Sequence, residues 1–430
     1  MDQWAILITL VVYQAVLLGI GLFAQRRTRD AADLYLGGRR LGPLVAAISA
    51  AASSSSAWTL LSVSGMAYMS GLSAVWLVPA CVGGFALNWF VVAPRLRRHS
   101  GQTGALTLTE VLAGGTPNEG RRLVVWTASI NTLGSVLTYV ASQFNGAAKS
   151  FAPFFEGLDP EHAILIGSGV VVIYTMIGGF WAVSLTDTLQ GLVMAATAVA
   201  LPVVALVHVG GFGELFEKLA ATQGPAYLGL TQDLPLVAGI GFVFGLSGIT
   251  LGYPGQPHVV NRFMALRREE DIRLARRYSM AWAVLVYAGM ILLGLCARVA
   301  LGDPVGDYDK EQAFFDVANK ILPPVVAGMM LAAVLSAIMS TADSQLLVAA
   351  STVSHDLGLR GKTEKTRLLR DRLVILGLSA GAIFAALYGS REIYQKVLFA
   401  WSSMGAAFAP LLFWVLWQGQ VAPRVAVATM

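Results

Sequence analysis

The stretch Ala50–Trp58, with the sequence AAASSSSAW, lies in the middle of a long apolar segment. Four consecutive serines are poorly suited to contact with hydrocarbon, and their hydroxyls can hydrogen-bond to the backbone and ease local unwinding of a helix. A tightly packed interface of small residues between two helices would use the same residue types. The stretch therefore indicates either a break in a membrane helix or a close helix contact.

A second stretch, Gly252–His258, with the sequence GYPGQPH, lies near the end of another apolar segment. Its two prolines and two glycines disfavour a continuous helix because proline removes a backbone donor and glycine costs conformational entropy. A simple helix end followed by a loop is the alternative interpretation.

The composition places both stretches in a membrane protein. Of the 430 residues 56% are hydrophobic and only 13% are charged, whereas soluble domains carry about 25% charged residues. Cys81 and Cys296 each lie inside an apolar stretch, which is typical neither of a disulfide framework nor of a metal site. No cluster of histidine, cysteine or acidic residues has catalytic spacing, so we expect neither an enzyme nor a cofactor other than a coupling ion.

We predict an all-α membrane protein with eleven spanning helices, each apolar enough to cross roughly 30 Å of hydrocarbon. The predicted spans cover residues 4–24, 41–70, 73–93, 123–147, 161–180, 185–208, 233–257, 279–300, 318–354, 373–390 and 394–418.

The basic residues predict the orientation of these spans. With eleven spans, 23 of the 30 Lys and Arg residues fall on one side, in loops 25–40, 94–122, 258–278 and 355–372 and in the tail, and 7 on the other. Positively charged loops stay in the cytoplasm, so we expect the N-terminus outside and the C-terminus inside. Since the basic residues lie in a few short loops, we expect membrane lipid around the chain and no nucleic-acid partner.

The two unusual stretches lie in the second and the seventh predicted span, an odd number of spans apart, so they cross the membrane in opposite directions. Residues 41–208 and 233–418 are therefore candidate inverted repeats within a single transporter domain, preceded by one extra helix at 4–24. Interrupted helices at corresponding positions of two such halves mark transport sites.

Polar residues inside two other spans support this interpretation. Asp187 lies near the start of the sixth span, and an intramembrane carboxylate indicates a functional site. In the ninth span Ser340, Asp343 and Ser344 share a helix face and Thr341 lies beside Ser340. Such oxygens, together with carbonyls freed by an unwound helix, suit a hard cation such as Na+.

These polar residues also have simpler explanations. Asp187 could cap the sixth helix at the membrane interface. The hydroxyls of the ninth span could bond back to their own helix, with Asp343 facing water. Aromatic residues such as Trp58, Tyr139 and Tyr253 are often core residues or interface anchors rather than pocket walls.

Five stretches spread over most of the chain carry a family resemblance. They are Leu34–Arg40 (LYLGGRR, followed by LGP), Ser49–Trp58, Gly178–Gln190, Gly252–Ala265 (GYPGQPHVVNRFMA) and Met339–Val348 (MSTADSQLLV). Together they resemble the sodium/solute symporter family, most closely its sodium/proline branch. The resemblance implies a five-plus-five inverted-repeat core with one preceding helix.

The resemblance also implies site residues. A first Na+ would be bound by the carbonyls of Ala52, Ser55 and Ala337 and the hydroxyls of Ser340 and Thr341. A second ion site, present in some members, would involve Asp187, Ser340, Asp343 and Ser344. The solute would lie near Trp58, Tyr139, Tyr253 and Pro257.

The chain departs from that branch at several positions. The branch has an aspartate where this chain has Ser54, a neutral residue where it has Asp343, and a tryptophan where it has Ile249. The family usually has thirteen helices, and this chain ends at about the place where the twelfth would begin.

We therefore expect a sodium-coupled secondary symporter in the cell (inner) membrane that imports a small organic solute, such as the amino acid proline. A transporter-like solute sensor and a proton-coupled transporter of another small solute remain alternatives at this point. The expected partners are the solute, Na+ and membrane lipid.

Overall fold

The computed structural model of the chain describes residues 3–25, 36–152, 154, 157–176, 180–358 and 364–430. These residues form an almost entirely helical bundle, and the described part contains no strand, only an isolated bridge between Leu41 and Leu266. The predicted loop residues Arg26, Arg27 and Arg29, and residues 34–35 and 178–179 of the quoted stretches, lie outside the described residues.

The α-helices are numbered in chain order. They are α1 (Gln3–Gln25), α2 (Pro43–Ser54), α3 (Val63–Ser70), α4 (Leu77–Ala86), α5 (Ala93–Thr103), α6 (Leu108–Gly114), α7 (Asn118–Phe151), α8 (Pro160–Thr175), α9 (Phe180–Val209), α10 (Gly211–Thr222), α11 (Pro225–Leu228), α12 (Leu236–Ser247), α13 (Ile249–Gly252), α14 (Pro257–Met264), α15 (Asp271–Leu301), α16 (Ala313–Ile321), α17 (Pro324–Ser351), α18 (Glu364–Tyr388), α19 (Ile393–Gln418) and α20 (Pro423–Thr429).

The described residues include 8 helical segments that are long and apolar enough to cross a membrane, together with three shorter apolar helices. Each of the eleven predicted spans overlaps one of these segments. The prediction of an all-α membrane protein is therefore confirmed. The number of spans stays a prediction.

Helix α17 is the centre of the bundle. In its most apolar window 83% of the residues are buried, whereas the figure is 17% for the segment that contains α12 and α13. Helix α17 packs against α1, α2, α7, α8, α9 and α18. Its polar residues therefore face protein on every side, and the interpretation that Asp343 faces water is wrong, since this residue is fully buried.

The serine stretch breaks the second span, as the sequence predicts. Helix α2 ends at Ser54, Ser55 has non-helical backbone angles (φ −116°, ψ 78°), and a π-helical turn at Trp58–Ser62 leads into α3. The amide N–H of Ala57, freed by the break, donates to Gln143 Oε1 on α7 at 3.2 Å. A side chain of a neighbouring helix thus replaces a lost backbone partner, as a membrane interior requires.

The seventh span is also discontinuous, which confirms the second prediction. A 3-10 turn at Tyr253–Gly255 and an extended Gln256 (φ −91°, ψ 102°) separate α13 from α14. The carbonyl of Tyr253 accepts a hydrogen bond from Asn88 Nδ2 at 3.2 Å, and Gln256 Nε2 donates to the carbonyl of Gly252 at 3.0 Å. Side-chain amides therefore take over the hydrogen bonds that the break removes.

Helices α2 and α14 pack against each other in opposite directions. Leu41, before α2, exchanges backbone hydrogen bonds with Ala265 and Arg267, after α14. Further along, Ser49 on α2 contacts Arg262 on α14. Residue numbers increase along one helix as they decrease along the other, as expected for the broken helices of an inverted repeat.

Two predicted boundaries are wrong. The ninth span begins at Pro324 and not at residue 318, because the chain leaves α16 at Ile321 and the consecutive prolines 323 and 324 interrupt the backbone hydrogen bonding. The loop predicted at 258–278 begins only after α14, so Arg262 belongs to a buried helix and not to a cytoplasmic loop.

The close approach of α13 to α19 gives a test of the fold. A Cβ added at Gly405 would lie 2.7 Å from the Cα of Gly252, a backbone atom that cannot rotate away. We expect Gly405→Ala to lower the free energy of unfolding by about 1–3 kcal/mol, the usual cost of overpacking. Thermal unfolding of the detergent-solubilised protein measures this.

Gly134→Ala is the matched control, since nothing lies within 4 Å of the added Cβ on the exposed face of α7. Alanine has the higher helix propensity, so this variant should be as stable as the parent or more so. Equal melting temperatures of the two variants would contradict the close contact between α13 and α19.

Candidate functional site

A buried ion pair lies where α9 meets the second broken helix. Arg262 Nη2 on α14 is 2.9 Å from Asp187 Oδ2 on α9, and both side chains are fully buried or nearly so. The guanidinium also stacks over the Phe180 ring, 5.0 Å from its centroid. The interpretation of Asp187 as an interfacial cap is therefore wrong, because its carboxylate points at an arginine inside the protein.

Two serines complete this network. Ser49 on α2 donates to Asp187 Oδ2 at 2.8 Å and accepts from Arg262 Nε at 3.1 Å. Ser344 on α17 accepts from Arg262 Nη2 at 2.5 Å and lies 3.3 Å from the same Asp187 oxygen. Arg262 also donates to the carbonyl of His258, one turn earlier. A single arginine thus joins α2, α9, α14 and α17.

Asp343 lies beside this network without sharing its hydrogen bonds. It is fully buried and interacts electrostatically with Asp187 and Arg262. No hydrogen bond of standard geometry reaches either carboxylate oxygen, although Ser344 adjoins the carboxylate. Two carboxylates therefore share one guanidinium, which leaves a negative charge that a mobile cation or a proton has to balance.

The residues expected to bind the first cation lie together between α2 and α17. The Ser340 hydroxyl is 3.3 Å from the carbonyl oxygen of Ala52 and 3.2 Å from that of Ala337. The Ala52 carbonyl also accepts the amide N–H of Ser55 at 3.1 Å, at the break in the second span. Three of the five predicted ligands are thus neighbours across the two helices.

The other two expected ligands lie next to this group. Thr341 follows Ser340 on α17, is fully buried, and its hydroxyl has no hydrogen-bond partner. Ser55 is the residue at the break, and its side-chain hydroxyl lies 3.5 Å from Tyr287 OH on α15. An unpaired buried hydroxyl is costly in a protein interior, so Thr341 is available as a ligand.

The residues expected at the second ion site are only partly brought together for that purpose. Asp187 and Ser344 share an oxygen contact, but both are occupied by Arg262. Ser340 belongs to the group around Ala52 instead. In this conformation the Arg262 guanidinium therefore lies between Asp187 and Ser344, where the second ion is predicted. Of the four predicted ligands, Asp343 is the one whose side chain makes no hydrogen bond of standard geometry.

The expected solute residues line a buried aromatic region. The Trp58 ring lies 6.1 Å from Tyr287, 6.4 Å from Tyr394 and 6.2 Å from Trp401, measured between ring centroids. The Tyr253 ring packs edge-on against Trp401 at 4.4 Å. Trp58 and Tyr253 belong to the two opposite breaks, so this region connects the broken spans.

Tyr139 and Pro257 lie close to the residues of the two breaks. Tyr139 OH donates to Ser56 Oγ at 3.3 Å, and its ring meets the His258 ring edge-on at 6.1 Å. Pro257 is buried at the first position of α14. Tyr139 thus connects the serine break with the residues that follow the second break.

Two positions at which the chain departs from its branch lie in different places. Ser54 lines a small cavity with Asn88 and Tyr253, away from the group around Ser340, and its hydroxyl bonds back to the carbonyl of Ala51 at 2.9 Å. Ile249 lines the cavity formed by the Trp58, Tyr394 and Trp401 rings. The first departure therefore adjoins the break, and the second adjoins the aromatic region.

Sequence reasoning missed several residues of the site. They are Ser49, Gln143, Arg262, Tyr287, Tyr394 and Trp401. One signal could have found Arg262: an intramembrane carboxylate needs a cationic partner, and this arginine follows the predicted break by less than two helical turns. Nothing in the sequence distinguishes Gln143 or Tyr287 from other residues of long apolar helices.

The comparisons with known proteins agree with this architecture. A family model described as "Sodium:solute symporter family" matches residues 34–430. The sodium/proline symporter of Escherichia coli is 35% identical over 96% of this chain and 83% of its own length. The osmoregulated proline transporter OpuE of Bacillus subtilis is 35% identical over 99% of this chain and 86% of its own length.

Solved structures show the same fold at lower identity. A Na+-coupled sialic acid symporter in a substrate-bound outward-open state has a TM-score of 0.79 and 20% identity, and the match covers 99% of this chain and 89% of that one. Mhp1, a nucleobase-cation-symport-1 family transporter in a closed conformation, has a TM-score of 0.58 and 14% identity, over 91% of this chain and 82% of that one.

The buried ion pair generates a prediction about stability. Asp187→Asn removes the carboxylate that hydrogen-bonds to Arg262 in the protein interior, and removal of one member of a buried pair costs about 3–5 kcal/mol. We expect a large fall in the melting temperature of the purified protein. The double variant Asp187→Asn/Arg262→Gln should recover part of the loss because neither residue is then charged.

Asp271→Asn is the matched control. This carboxylate pairs with Arg267 at 2.6 Å, but the arginine side chain is 53% exposed, and exposed pairs contribute about 0–1 kcal/mol. If the Asp187 variant were no less stable than the Asp271 variant, or if the double variant lost the sum of both single effects, the pair would not stabilise the bundle.

Proposed function

This chain belongs to the sodium:solute symporter family, and from that premise we propose that it imports a small amino acid of the proline type together with Na+. It is a multi-pass membrane transporter and not an enzyme. Several relatives with about 35% identity over nearly the whole chain are named proline transporters. Their names support a solute of the same class.

The observation that carries the proposal is the group of oxygens around Ser340. Two backbone carbonyl oxygens from different helices each lie within 3.3 Å of the Ser340 hydroxyl, and the unpaired hydroxyl of Thr341 belongs to the next residue. Carbonyl and hydroxyl oxygens suit a hard cation. Na+ would replace the hydrogen bond from Ser340 to Ala52, after which both oxygens would turn their lone pairs toward the ion.

Ion binding at this position would act on the solute pocket through the break itself. Ser55 and Trp58 are three residues apart on the unwound segment, and Ser55 Oγ and Thr59 Oγ1 each lie 3.5 Å from Tyr287 OH. Tyr287 in turn packs against Trp58. Fixing the carbonyls of the break therefore restricts the ring that faces the solute, and this supplies the coupling.

Coupling of this kind is a difference in binding free energy between the outward-facing and inward-facing states, typically about 1–3 kcal/mol for each ligand pair. The membrane potential adds about 2.3 kcal/mol per unit charge for each 100 mV. The coupling links the two ligands, and the Na+ concentration gradient together with the membrane potential then drives accumulation without covalent chemistry.

We also propose that the chain resides in the cell (inner) membrane, surrounded by lipid, with its N-terminus outside and its C-terminus in the cytoplasm. The excess of Lys and Arg in one set of loops supports that orientation. The opposite directions of α2 and α14 support two inverted repeats at 41–208 and 233–418, with 4–24 as a preceding helix. Na+ is the only cofactor that we propose.

Removal of two ligands tests the Na+ site. We expect the double variant Ser340→Ala/Thr341→Ala to raise the Na+ concentration for half-maximal uptake of labelled proline by tenfold or more, since about 1.4 kcal/mol of binding free energy corresponds to a factor of ten. Uptake into proteoliposomes at fixed pH, with choline replacing Na+, measures the dependence.

Ser351→Ala is the matched control, because Ser351 lies on the same helix and its hydroxyl only bonds back to the carbonyl of Val348 at 2.8 Å. Its Na+ dependence should equal that of the parent. Unchanged Na+ dependence in the double variant would refute the site. Na+-dependent binding of the solute without accumulation would identify a sensor instead of a transporter.

Proton coupling is a second candidate function, which the unpartnered carboxylate of Asp343 supports. A proton could balance its charge in place of Na+. If Na+ is the coupling ion, neither the parent nor the Asp343→Asn variant should take up solute in choline medium under an inward proton gradient. Gradient-driven uptake in choline that disappears in Asp343→Asn would establish proton coupling.

A further inference from the structure

A small cavity between the two breaks and α19 has walls of aromatic rings. Its lining consists of Trp58, Ile249, Tyr394, Val397, Leu398 and Trp401. It encloses about 10 Å³, which is room for a single water molecule. We call Trp58, Tyr394 and Trp401 the aromatic box.

The rings of the aromatic box are tilted against one another and not stacked. The Trp58 plane makes an angle of 52° with Tyr394 and 64° with Trp401, at centroid distances of 6.4 and 6.2 Å. The three rings therefore do not stack on one another, and all three line the same cavity. Aromatic faces carry negative electrostatic potential and attract cations, and such cages are the usual recognition element for alkylated ammonium groups.

The lining contains no group that would bind an ammonium ion by other means. Three of its six residues are aliphatic, and it includes no carboxylate and no amide side chain. The hydroxyl of Tyr394 is the one side-chain oxygen among the six. A primary ammonium would bring three N–H donors into this space, and most of them would stay without an acceptor, which is unfavourable in a buried site.

The box also contains one donor without a partner. The indole N–H of Trp58 makes no hydrogen bond, whereas that of Trp401 adjoins the Tyr139 hydroxyl. Trp58 is buried, with an exposed fraction of 3%. An indole nitrogen can only donate, so a ligand that satisfies this group has to bring an acceptor such as a carboxylate.

We propose that the aromatic box binds the alkylated ammonium of a zwitterionic solute and accepts full N-methylation of that nitrogen, while the unpaired indole N–H of Trp58 donates to the carboxylate. This inference rests on the proposed function, since it specifies the solute class of the same pocket. It extends that class from proline, whose ring nitrogen is a secondary ammonium with two N–H groups, to betaine-like compounds, whose fully alkylated nitrogen carries no hydrogen.

A buried carboxylate holds the helix that carries one ring of the box. The amide N–H of Tyr394 donates to Glu311 Oε1 at 3.2 Å, and Lys149 and Ser62 bond to the same buried carboxylate. The Lys310 ammonium lies 5.9 Å from the centroid of the Tyr394 ring. Glu311 therefore fixes the start of α19, and since the cavity encloses only about 10 Å³, binding of a solute requires the rings of the box to move apart.

A panel of competitors tests the proposal with the purified protein in Na+-containing proteoliposome assays. The panel contains proline, N,N-dimethylproline, alanine and cyclopentanecarboxylate, which lacks the nitrogen. We expect N,N-dimethylproline to inhibit uptake of labelled proline at concentrations within about threefold of those of proline itself, and alanine and cyclopentanecarboxylate to be weaker by about tenfold or more, the scale of one desolvated cation–π contact. Ligand-induced thermal shifts give an independent measure of binding.

Variants of one ring separate its face from its hydroxyl. Tyr394→Leu should weaken binding of N,N-dimethylproline about tenfold, whereas Tyr394→Phe, which keeps the ring, should weaken it far less. Ile249→Trp fills the cavity and should exclude the dimethylated compound more strongly than proline. Tyr388→Leu, which removes a ring that is 76% exposed, is the control with unchanged binding. A Na+-dependent thermal shift verifies that each variant is folded.

The outcomes distinguish this inference from the proposed function. Na+-dependent proline uptake that N,N-dimethylproline does not inhibit overturns the inference and leaves the proposed function intact. Binding of N,N-dimethylproline without any Na+-dependent uptake overturns the proposed function and supports the inference. Equal effects of Tyr394→Leu and Tyr394→Phe, or binding of neither compound, overturn the inference.

Discussion

The guanidinium of Arg262 is the interaction on which the arrangement of the central helices depends. It contacts Asp187 on α9, Ser49 on α2 and Ser344 on α17 while its own helix, α14, begins at the second break. A buried charge without its partner is far less stable than the pair. The four helices are therefore held in one relative arrangement as long as the network is intact, and a change in any member is transmitted to all of them.

The network stands beside two breaks whose freed backbone groups need partners in a protein interior. Gln143 accepts the Ala57 amide, Asn88 donates to the Tyr253 carbonyl, and Ser340 donates to the Ala52 carbonyl. Gln143 and Asn88 are side-chain amides, which only hydrogen-bond to the freed backbone groups. Ser340 is a hydroxyl, whose hydrogen bond to the Ala52 carbonyl an ion can replace. The break in the second span therefore has one backbone group that an amide holds and one that can bind an ion instead.

The sequence predicts the fold to a large extent because a membrane interior restricts it. Long apolar segments must be helical, so the spans follow from hydropathy, and serines or Gly-Pro runs mark breaks at Ser55 and Gln256. Motif resemblance places Ala52 and Ser340 in one group. The motifs do not identify Arg262, because its position next to a basic loop suggests that its side chain is exposed to solvent. They do not identify Gln143 either, because its partner, the amide of Ala57, becomes available only where a helix distant in sequence breaks. Burial by neighbouring helices decides both cases.

Charge balance connects the two halves of the site. Asp187 and Asp343 share the single guanidinium of Arg262, so a mobile cation or a proton has to balance the second carboxylate, and in the proposed symport Na+ does so. The lining of the aromatic box includes no ionised side chain, so a solute held there has to balance its own charge, as a zwitterion does. The mobile cation is then the only net charge that crosses with the solute. Transport by such a site moves charge across the membrane, and the inside-negative potential favours import by about 2.3 kcal/mol per 100 mV.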